Sequence, residues 1–159
     1  MNSQTIRISI DNKEIECNKK DTILQAALNA GIYIPTLCYH PDIKSYGACG
    51  LCAVEIEGSN EQELACVTSV EQGMKITTDS SELKKTRQEK LAIILKDHPH
   101  ACLVCAEKEG CAREPCSLNV PITERCCEKL GDCELERVAD YIGIPENTPR
   151  YKNKNLSKL

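Results

Sequence analysis

Tyr46-Gly47-Ala48-Cys49-Gly50-Leu51-Cys52 is the stretch of this chain that decides its fold. Cys49 and Cys52 lie three positions apart, so their thiolates can reach one metal centre from a tight loop. Gly47 and Gly50 can adopt positive φ and let the backbone approach closely, so that amide groups can point at the sulfur atoms. Such hydrogen bonds stabilise added negative charge and tune a reduction potential. The stretch therefore predicts a metal-binding loop, with Gly47 and Gly50 as cofactor-binding positions.

Two isolated cysteines flank this loop. Cys38 and Cys66 extend the pattern to C-x10-C-x2-C-x13-C, and four thiolates are the usual ligand set of a [2Fe–2S] cluster. A four-cysteine zinc site is the alternative, because C-x2-C by itself also fits zinc. Zinc sites usually pair two such knuckles, whereas Cys38 and Cys66 each stand alone. The spacing favours a [2Fe–2S] cluster held by Cys38, Cys49, Cys52 and Cys66.

The residues around the loop predict a small sheet with few helices. Isoleucines alternate with polar residues before a turn at Asp11-Asn12, as in a hairpin strand. Asp21 is placed to cap a helix that presents Ile23, Leu24, Ala27 and Leu28 on one face and ends at Gly31. Further strands are expected at 53–57 and 74–77. Helices are expected from Ser80 or Ser81 to about Lys96 and from about Leu135 to Tyr141.

The first hundred residues closely resemble the β-grasp ferredoxin domain that opens the large iron–sulfur subunit of respiratory complex I and many [FeFe]-hydrogenases. The matching segments are Thr22-Ile23-Leu24-Gln25-Ala26-Ala27, Ile34-Pro35-Thr36-Leu37-Cys38-Tyr39-His40 and Leu64-Ala65-Cys66-Val67-Thr68. The resemblance implies an α+β fold with a β-grasp [2Fe–2S] domain at 1–79. A linker helix at 80–97, a cysteine-rich [4Fe–4S] domain at 98–145 and a tail at 146–159 are expected to follow.

A second cysteine set begins after the linker helix, where His98, Cys102, Cys105 and Cys111 give H-x3-C-x2-C-x5-C. The same family carries this signature, and the resemblance implies that these four residues hold a [4Fe–4S] cluster. Replacing a thiolate by neutral imidazole makes a cluster one unit less negative, which changes its potential. The other interpretation of His98 is a residue that interacts with the dipole at the C-terminus of the helix. His100 is expected to be a polar loop residue.

The chain departs from the family pattern beyond Cys111. Cys127 and Cys133 repeat the C-x5-C spacing, and an insertion carries Cys116 and Cys126, so either Cys111 or Cys133 could complete the His98 cluster. Seven cysteines and His98 suffice for two four-ligand clusters. We therefore expect a second [4Fe–4S] cluster, with the ligands Cys116, Cys126, Cys127 and Cys133. Adjacent side chains diverge, so one such cluster with several free thiols is the alternative.

The composition limits both the compartment and the partners. Twelve cysteines occur without an apolar segment near the N-terminus that would direct secretion, which indicates a cytoplasmic protein with reduced, metal-binding thiols rather than disulfides. The longest aliphatic run, Leu91 to Leu95, is far too short to span a membrane. The net charge is −4 with mixed signs, and no basic face for a nucleic acid is visible.

The sequence predicts an electron relay without a catalytic site of its own. It contains neither G-x-G-x-x-G nor a P-loop lysine, so no nucleotide or flavin site is visible. The resemblance implies a subunit that takes electrons from a complex I-like NAD(P)H–flavin subunit. The acceptor would be ferredoxin, NADP, a hydrogenase or a dehydrogenase, and an electron-bifurcating transhydrogenase would suit the additional clusters. The alternatives are a free-standing ferredoxin-type carrier and a zinc-binding interaction module.

Overall fold

The computed structural model describes residues 4–112 and 114–151, and these divide into two compact units at Arg87/Gln88. The first unit contains a five-stranded sheet with the order β2-β1-β5-β3-β4. Its strands are β1 (Thr5–Ile10), β2 (Lys13–Asn18), β3 (Ala53–Ile56), β4 (Glu63–Leu64) and β5 (Lys75–Thr77). The helices of the described chain are α1 (Ile23–Asn29), α2 (Ser81–Lys96) and α3 (Glu134–Ile142), together with a 3-10 turn at Ile122–Glu124.

The sheet is mixed, as a β-grasp arrangement requires. Strand β1 pairs antiparallel with β2 and parallel with β5, while β3 pairs antiparallel with β4 and β5. Asp11 and Asn12 both have positive φ, which matches the two-residue turn of a tight hairpin. Ile6, Ile8 and Ile10 are buried, as their alternation predicts. The α+β class and the β-grasp sheet are confirmed for this unit.

Helix α1 begins one residue later than expected. Thr22, not Asp21, is its N-cap: Gln25 N donates to Thr22 Oγ1 at 3.3 Å, and Thr22 N donates to Gln25 Oε1 at 2.9 Å. The Asp21 carboxylate instead accepts from the backbone N–H of Asn18 at 3.1 Å, so the prediction for Asp21 was wrong. The reciprocal pair satisfies two free amides of the first turn, which a single carboxylate would not. Leu28, predicted on the buried face, is 47% exposed.

Helix α2 has the predicted bounds. Ser80 Oγ accepts from Leu83 N at 3.1 Å and donates to the Glu55 carboxylate at 2.9 Å, so it caps the helix and joins it to β3 within the first unit. Leu83 and Arg87 of this helix are buried in that unit. In the second unit, Gln88 donates to the carbonyl of Ile142 in α3. No helix of the described residues is both long and apolar enough to cross a bilayer.

Candidate metal centres

The loop before β3 carries Cys49 and Cys52 between two glycines of unusual conformation. Gly47 has φ of +70° and Gly50 has φ of +68°, which confirms the predicted positive φ at both positions. At Gly47, a Cβ atom would also lie 2.9 Å from Leu64 Cδ1. Gly47 therefore meets two requirements, a left-handed backbone and a close approach to the Leu64 side chain.

The four predicted [2Fe–2S] ligands meet as two pairs of thiols. The Cys38 side chain hydrogen-bonds the Cys49 side chain, and the Cys52 side chain hydrogen-bonds that of Cys66. The pairs also interact electrostatically, Cys38 with Cys66 and Cys52 with Cys49. Within residues 4–112 and 114–151, no three His, Cys, Asp or Glu side chains are gathered as ligands of a single metal ion. The four cysteines therefore lie as two interacting pairs of thiols rather than as a closed ligand set around one ion.

Backbone amides act on these sulfur atoms. Burial tends to raise the pKa of the Cys49 thiol, but hydrogen bonds from the backbone of Leu51 and Leu37 and from the Cys38 side chain outweigh it, so that the pKa is lowered. Burial raises the pKa of Cys52 to about 12, partly offset by the backbone N–H of Cys66. Backbone amides therefore hydrogen-bond the sulfur atoms of Cys49 and Cys52, as predicted.

This group fits a [2Fe–2S] cluster. Burial is also the main cause of the raised pKa of Cys38, and the nearby Cys66 adds to it, so these thiols oppose one another's ionisation. Iron ions would remove that opposition, because a coordinating thiol is deprotonated by the positive charge of the metal.

Thr36 Oγ1, two residues before Cys38, is buried without a hydrogen-bond partner among the described residues. Buried polar atoms without a hydrogen-bond partner are rare in native proteins, so the Thr36 hydroxyl is consistent with a bound cofactor beside Cys38.

A cavity in the second unit is lined by four cysteines, and this set differs from the two ligand sets predicted from the sequence. Cys102, Cys105, Cys111 and Cys116 line it together with Lys108 and Arg125. Cys116, which the sequence grouped with Cys126, Cys127 and Cys133, therefore shares this cavity with the cysteines of the H-x3-C-x2-C-x5-C motif. Cysteine is the residue type that holds a [4Fe–4S] cluster, so four cysteines lining one cavity are candidate ligands of such a cluster.

Cys126 lies against Cys102. Its backbone N–H points at Cys102 Sγ at 3.4 Å, and its own Sγ lies 3.5 Å from the carbonyl of Pro99. Burial raises the pKa of Cys126 to about 12, and the charge of Cys102 adds to it. Cys127 is exposed, whereas Cys133 is the N-cap of α3 without a side-chain cap bond.

The two histidines of this unit both have buried ring nitrogens. His100 lies in a loop, as predicted, but is only 2% exposed, with Nδ1 lying 2.9 Å from the carbonyl of His98. The burial of this polar ring is compatible with the fold, because its ring nitrogen has a hydrogen-bond partner. His98 Nδ1 is buried and has no hydrogen-bond partner among the described residues. A buried ring nitrogen without a partner fits the predicted ligand role of His98.

Two cations at the cavity were missed by the sequence reasoning. Lys108 Nζ lies 2.8 Å from Asp140 Oδ1, and Arg125 Nη1 donates to Glu114 Oε1 at 2.6 Å. Both cations could offset the negative charge of a thiolate-bound cluster. Both cations lie beside predicted ligands in the sequence, Lys108 between Cys105 and Cys111 and Arg125 directly before Cys126, and this is the signal that could have found them.

The conformation of Gly47 predicts a selective effect of substitution. Gly47→Ala is expected to cost roughly 1–2 kcal/mol for the left-handed backbone and about 1 kcal/mol more for displacing Leu64. Gly73→Ala is the control, because Gly73 has φ of +77° but open space around it. Denaturant unfolding of both apoproteins should show the larger loss for Gly47→Ala, and cluster content should fall only in that variant. Equal losses in the two variants would contradict the close approach at Gly47.

The chain is similar to a family of cluster-binding domains and to subunits of oxidoreductases. Residues 3–81 match the family of 2Fe-2S iron-sulfur cluster binding domains. The chain is 45% identical over 100 residues to the NADPH-Fe(3+) oxidoreductase subunit alpha of Geobacter sulfurreducens, a match that covers 63% of this chain and 12% of that protein. It is 40% identical over 106 residues to a subunit of the NADH-quinone oxidoreductase of Rickettsia typhi, covering 67% of this chain and 16% of that protein.

A solved structure extends the likeness beyond the first unit. The chain resembles a chain of the crystal structure of NAD+-reducing [NiFe]-hydrogenase in the H2-reduced state, with a TM-score of 0.69 and 28% sequence identity. The match covers 94% of this chain and 54% of that chain. By contrast, this chain spans only 12% to 16% of the length of the curated relatives named above.

Proposed function

Since residues 3–81 belong to the family of 2Fe-2S iron-sulfur cluster binding domains, we propose that this chain is an electron-relay subunit of an NAD(P)H-dependent oxidoreductase. The observation that carries the proposal is the meeting of Cys38, Cys49, Cys52 and Cys66 in one group with backbone amides directed at sulfur. A [2Fe–2S] cluster bound there supplies one-electron transfer.

The residues of the chain position this centre and adjust its charge. The amides of Leu51 and Cys66 donate toward Cys49 and Cys52, and such donors stabilise the extra electron of a reduced centre. The positive φ of Gly47 and Gly50 lets the loop turn tightly enough to present both thiols.

We propose that the second unit holds two [4Fe–4S] clusters. The shared cavity supports Cys102, Cys105, Cys111 and Cys116 as one ligand set, since all four line it. His98, Cys126, Cys127 and Cys133 then remain for the other cluster. The alternative division joins His98 with Cys102, Cys105 and either Cys111 or Cys133, as the spacing suggests.

The electron donor in this proposal is a flavoprotein subunit that oxidises NADH or NADPH. The similar proteins named above are, by their names, NADPH- or NADH-dependent oxidoreductase subunits or an NAD+-reducing hydrogenase, which supports a nicotinamide-linked partner. Ferredoxin, NADP, a hydrogenase or a dehydrogenase would be the acceptor, and electron bifurcation would use the additional clusters. The need for reduced thiols supports a cytoplasmic location.

Anaerobic purification from the native source tests this proposal. We expect a flavoprotein to co-purify and the clusters of the complex to bleach when NADH or NADPH is added, because the flavin accepts hydride and passes on single electrons. The isolated chain should bleach with dithionite but not with either nucleotide. The dithionite control shows that the clusters are competent. Recovery of the chain alone under gentle conditions would instead favour a free-standing ferredoxin-type carrier.

A further inference from the structure

Arg87 is a buried cation attached to the cysteine loop. It lies in α2 within the first unit, and only 2% of it is exposed. Its Nε donates to the carbonyl of Leu51 at 3.2 Å, and its Nη2 donates to the carbonyl of Ala53 at 2.7 Å. One guanidinium therefore binds the residues on both sides of Cys52.

These two bonds hold the loop at a predicted cluster ligand. Cys52 is 0% exposed, and its carbonyl accepts from Ala65 N at 3.0 Å, which ties it to the segment that carries Cys66. The planar fork of a guanidinium fixes the separation and direction of the two carbonyls it binds, which a single ammonium would not do. Arg87 thus constrains the backbone from which the Cys52 thiol projects.

The position of the charge matters as much as the hydrogen bonds. Standard bond lengths limit the distance from Arg87 Nε, through the Leu51 carbonyl, to the Cys52 sulfur to about 9 Å. A charge in a buried site is screened much less than one in solvent. Reduction of a thiolate-bound cluster adds one negative charge, which a nearby cation stabilises.

We propose that Arg87 is a positioning residue that fixes the Cys52 loop and raises the reduction potential of the [2Fe–2S] cluster. This inference rests on the proposed function, since it requires the cluster. A purely structural brace would change stability and cluster retention but would not make the potential follow the charge at position 87.

Two substitutions separate the charge from the fork. Arg87→Lys keeps the charge and loses the fork, whereas Arg87→Gln loses the charge and keeps a donor. Arg7→Gln is the matched control, because it removes the same charge from a side chain that is 71% exposed and pairs with Glu16. Each full-length protein is purified anaerobically, and the midpoint potential is measured by redox titration of the reduced [2Fe–2S] electron paramagnetic resonance signal.

Arg87→Gln is expected to lower the midpoint potential relative to the wild type, while Arg87→Lys and Arg7→Gln leave it unchanged. Both Arg87 variants should lose the cluster to a chelator faster, because each binds fewer loop carbonyls than the fork. An unchanged potential in Arg87→Gln, or a fall of the same size in Arg87→Lys, would overturn the electrostatic role.

The proposal can still be tested if the Arg87→Gln variant does not fold. If Arg87→Gln does not fold by circular dichroism, Arg87→Met takes its place, because methionine needs no buried hydrogen-bond partner. If neither neutral variant folds, Arg87→Lys decides alone: an unchanged potential supports the inference, and a lowered one overturns it. A wild-type chain without a [2Fe–2S] signal would instead refute the proposed function, so the two failures are distinguishable.

Discussion

Replacement of Cys49 by alanine is expected to abolish the [2Fe–2S] cluster and leave the other clusters in place. The Cys49 thiol hydrogen-bonds the Cys38 thiol and interacts electrostatically with Cys52. Its loss therefore removes one thiol pair and the interaction between the two pairs. Alanine supplies no replacement ligand. The reduced [2Fe–2S] electron paramagnetic resonance signal should disappear, while the expected [4Fe–4S] signals persist because their proposed ligands lie in the other unit.

Cys17→Ala is the matched control for that experiment. Cys17 is 7% exposed in β2, with Sγ lying 3.9 Å from the carbonyl of Ile6, and it belongs to the apolar core of the first unit. Its removal should cost about 1 kcal/mol of stability and leave every cluster signal unchanged. Loss of the [2Fe–2S] signal in Cys17→Ala, or its survival in Cys49→Ala, would show that the ligand set is wrong.

The iron content of single and double cysteine variants is expected to reveal the division of the [4Fe–4S] ligands. The wild type should contain about ten irons per chain, for one [2Fe–2S] and two [4Fe–4S] clusters. Cys105→Ala and Cys116→Ala should each retain about six. If both cysteines serve one cluster, as their shared cavity indicates, the double variant should also retain about six.

The competing division gives a different number. When Cys105 and Cys116 serve separate clusters, the double variant should retain only about two irons. Iron and acid-labile sulfide are measured together on anaerobically prepared protein. A wild type with about six irons would leave a single [4Fe–4S] cluster, and zinc without sulfide would contradict the iron–sulfur interpretation. Cys17→Ala serves again as the control for nonspecific loss.

Local sequence signals predicted the elements of the first unit well. Alternating isoleucines and the Asp11-Asn12 turn defined the first hairpin, because side chains of a strand alternate between its faces and a two-residue turn needs positive φ. Helix α2 was also expected with its observed bounds, since the Ser80 cap and the spacing of its buried residues are local features. Each of these signals lies within a few residues of the structure that it specifies.

The errors occurred where two local solutions competed or where burial decided. Asp21 and Thr22 are both good capping residues, and only the reciprocal bonds with Gln25 show which one caps α1. His100 lies in a loop as predicted, but its burial against the carbonyl of His98 was not predicted. Neither outcome can be predicted from the adjacent residues in the sequence, because each depends on which backbone groups still need a hydrogen-bond partner in the folded chain.

The sequence by itself determined the chemistry of this protein: the C-x10-C-x2-C-x13-C spacing and the glycines of one loop indicated a [2Fe–2S] centre before any contact was known. Tertiary structure alone decided how the thiols pair, which cysteines share a cavity and that Arg87 binds the carbonyls beside Cys52. Spacing along a chain limits how far two side chains can reach. It does not specify the contacts between residues such as Leu51 and Arg87, 36 positions apart, because those form only when separate elements pack together.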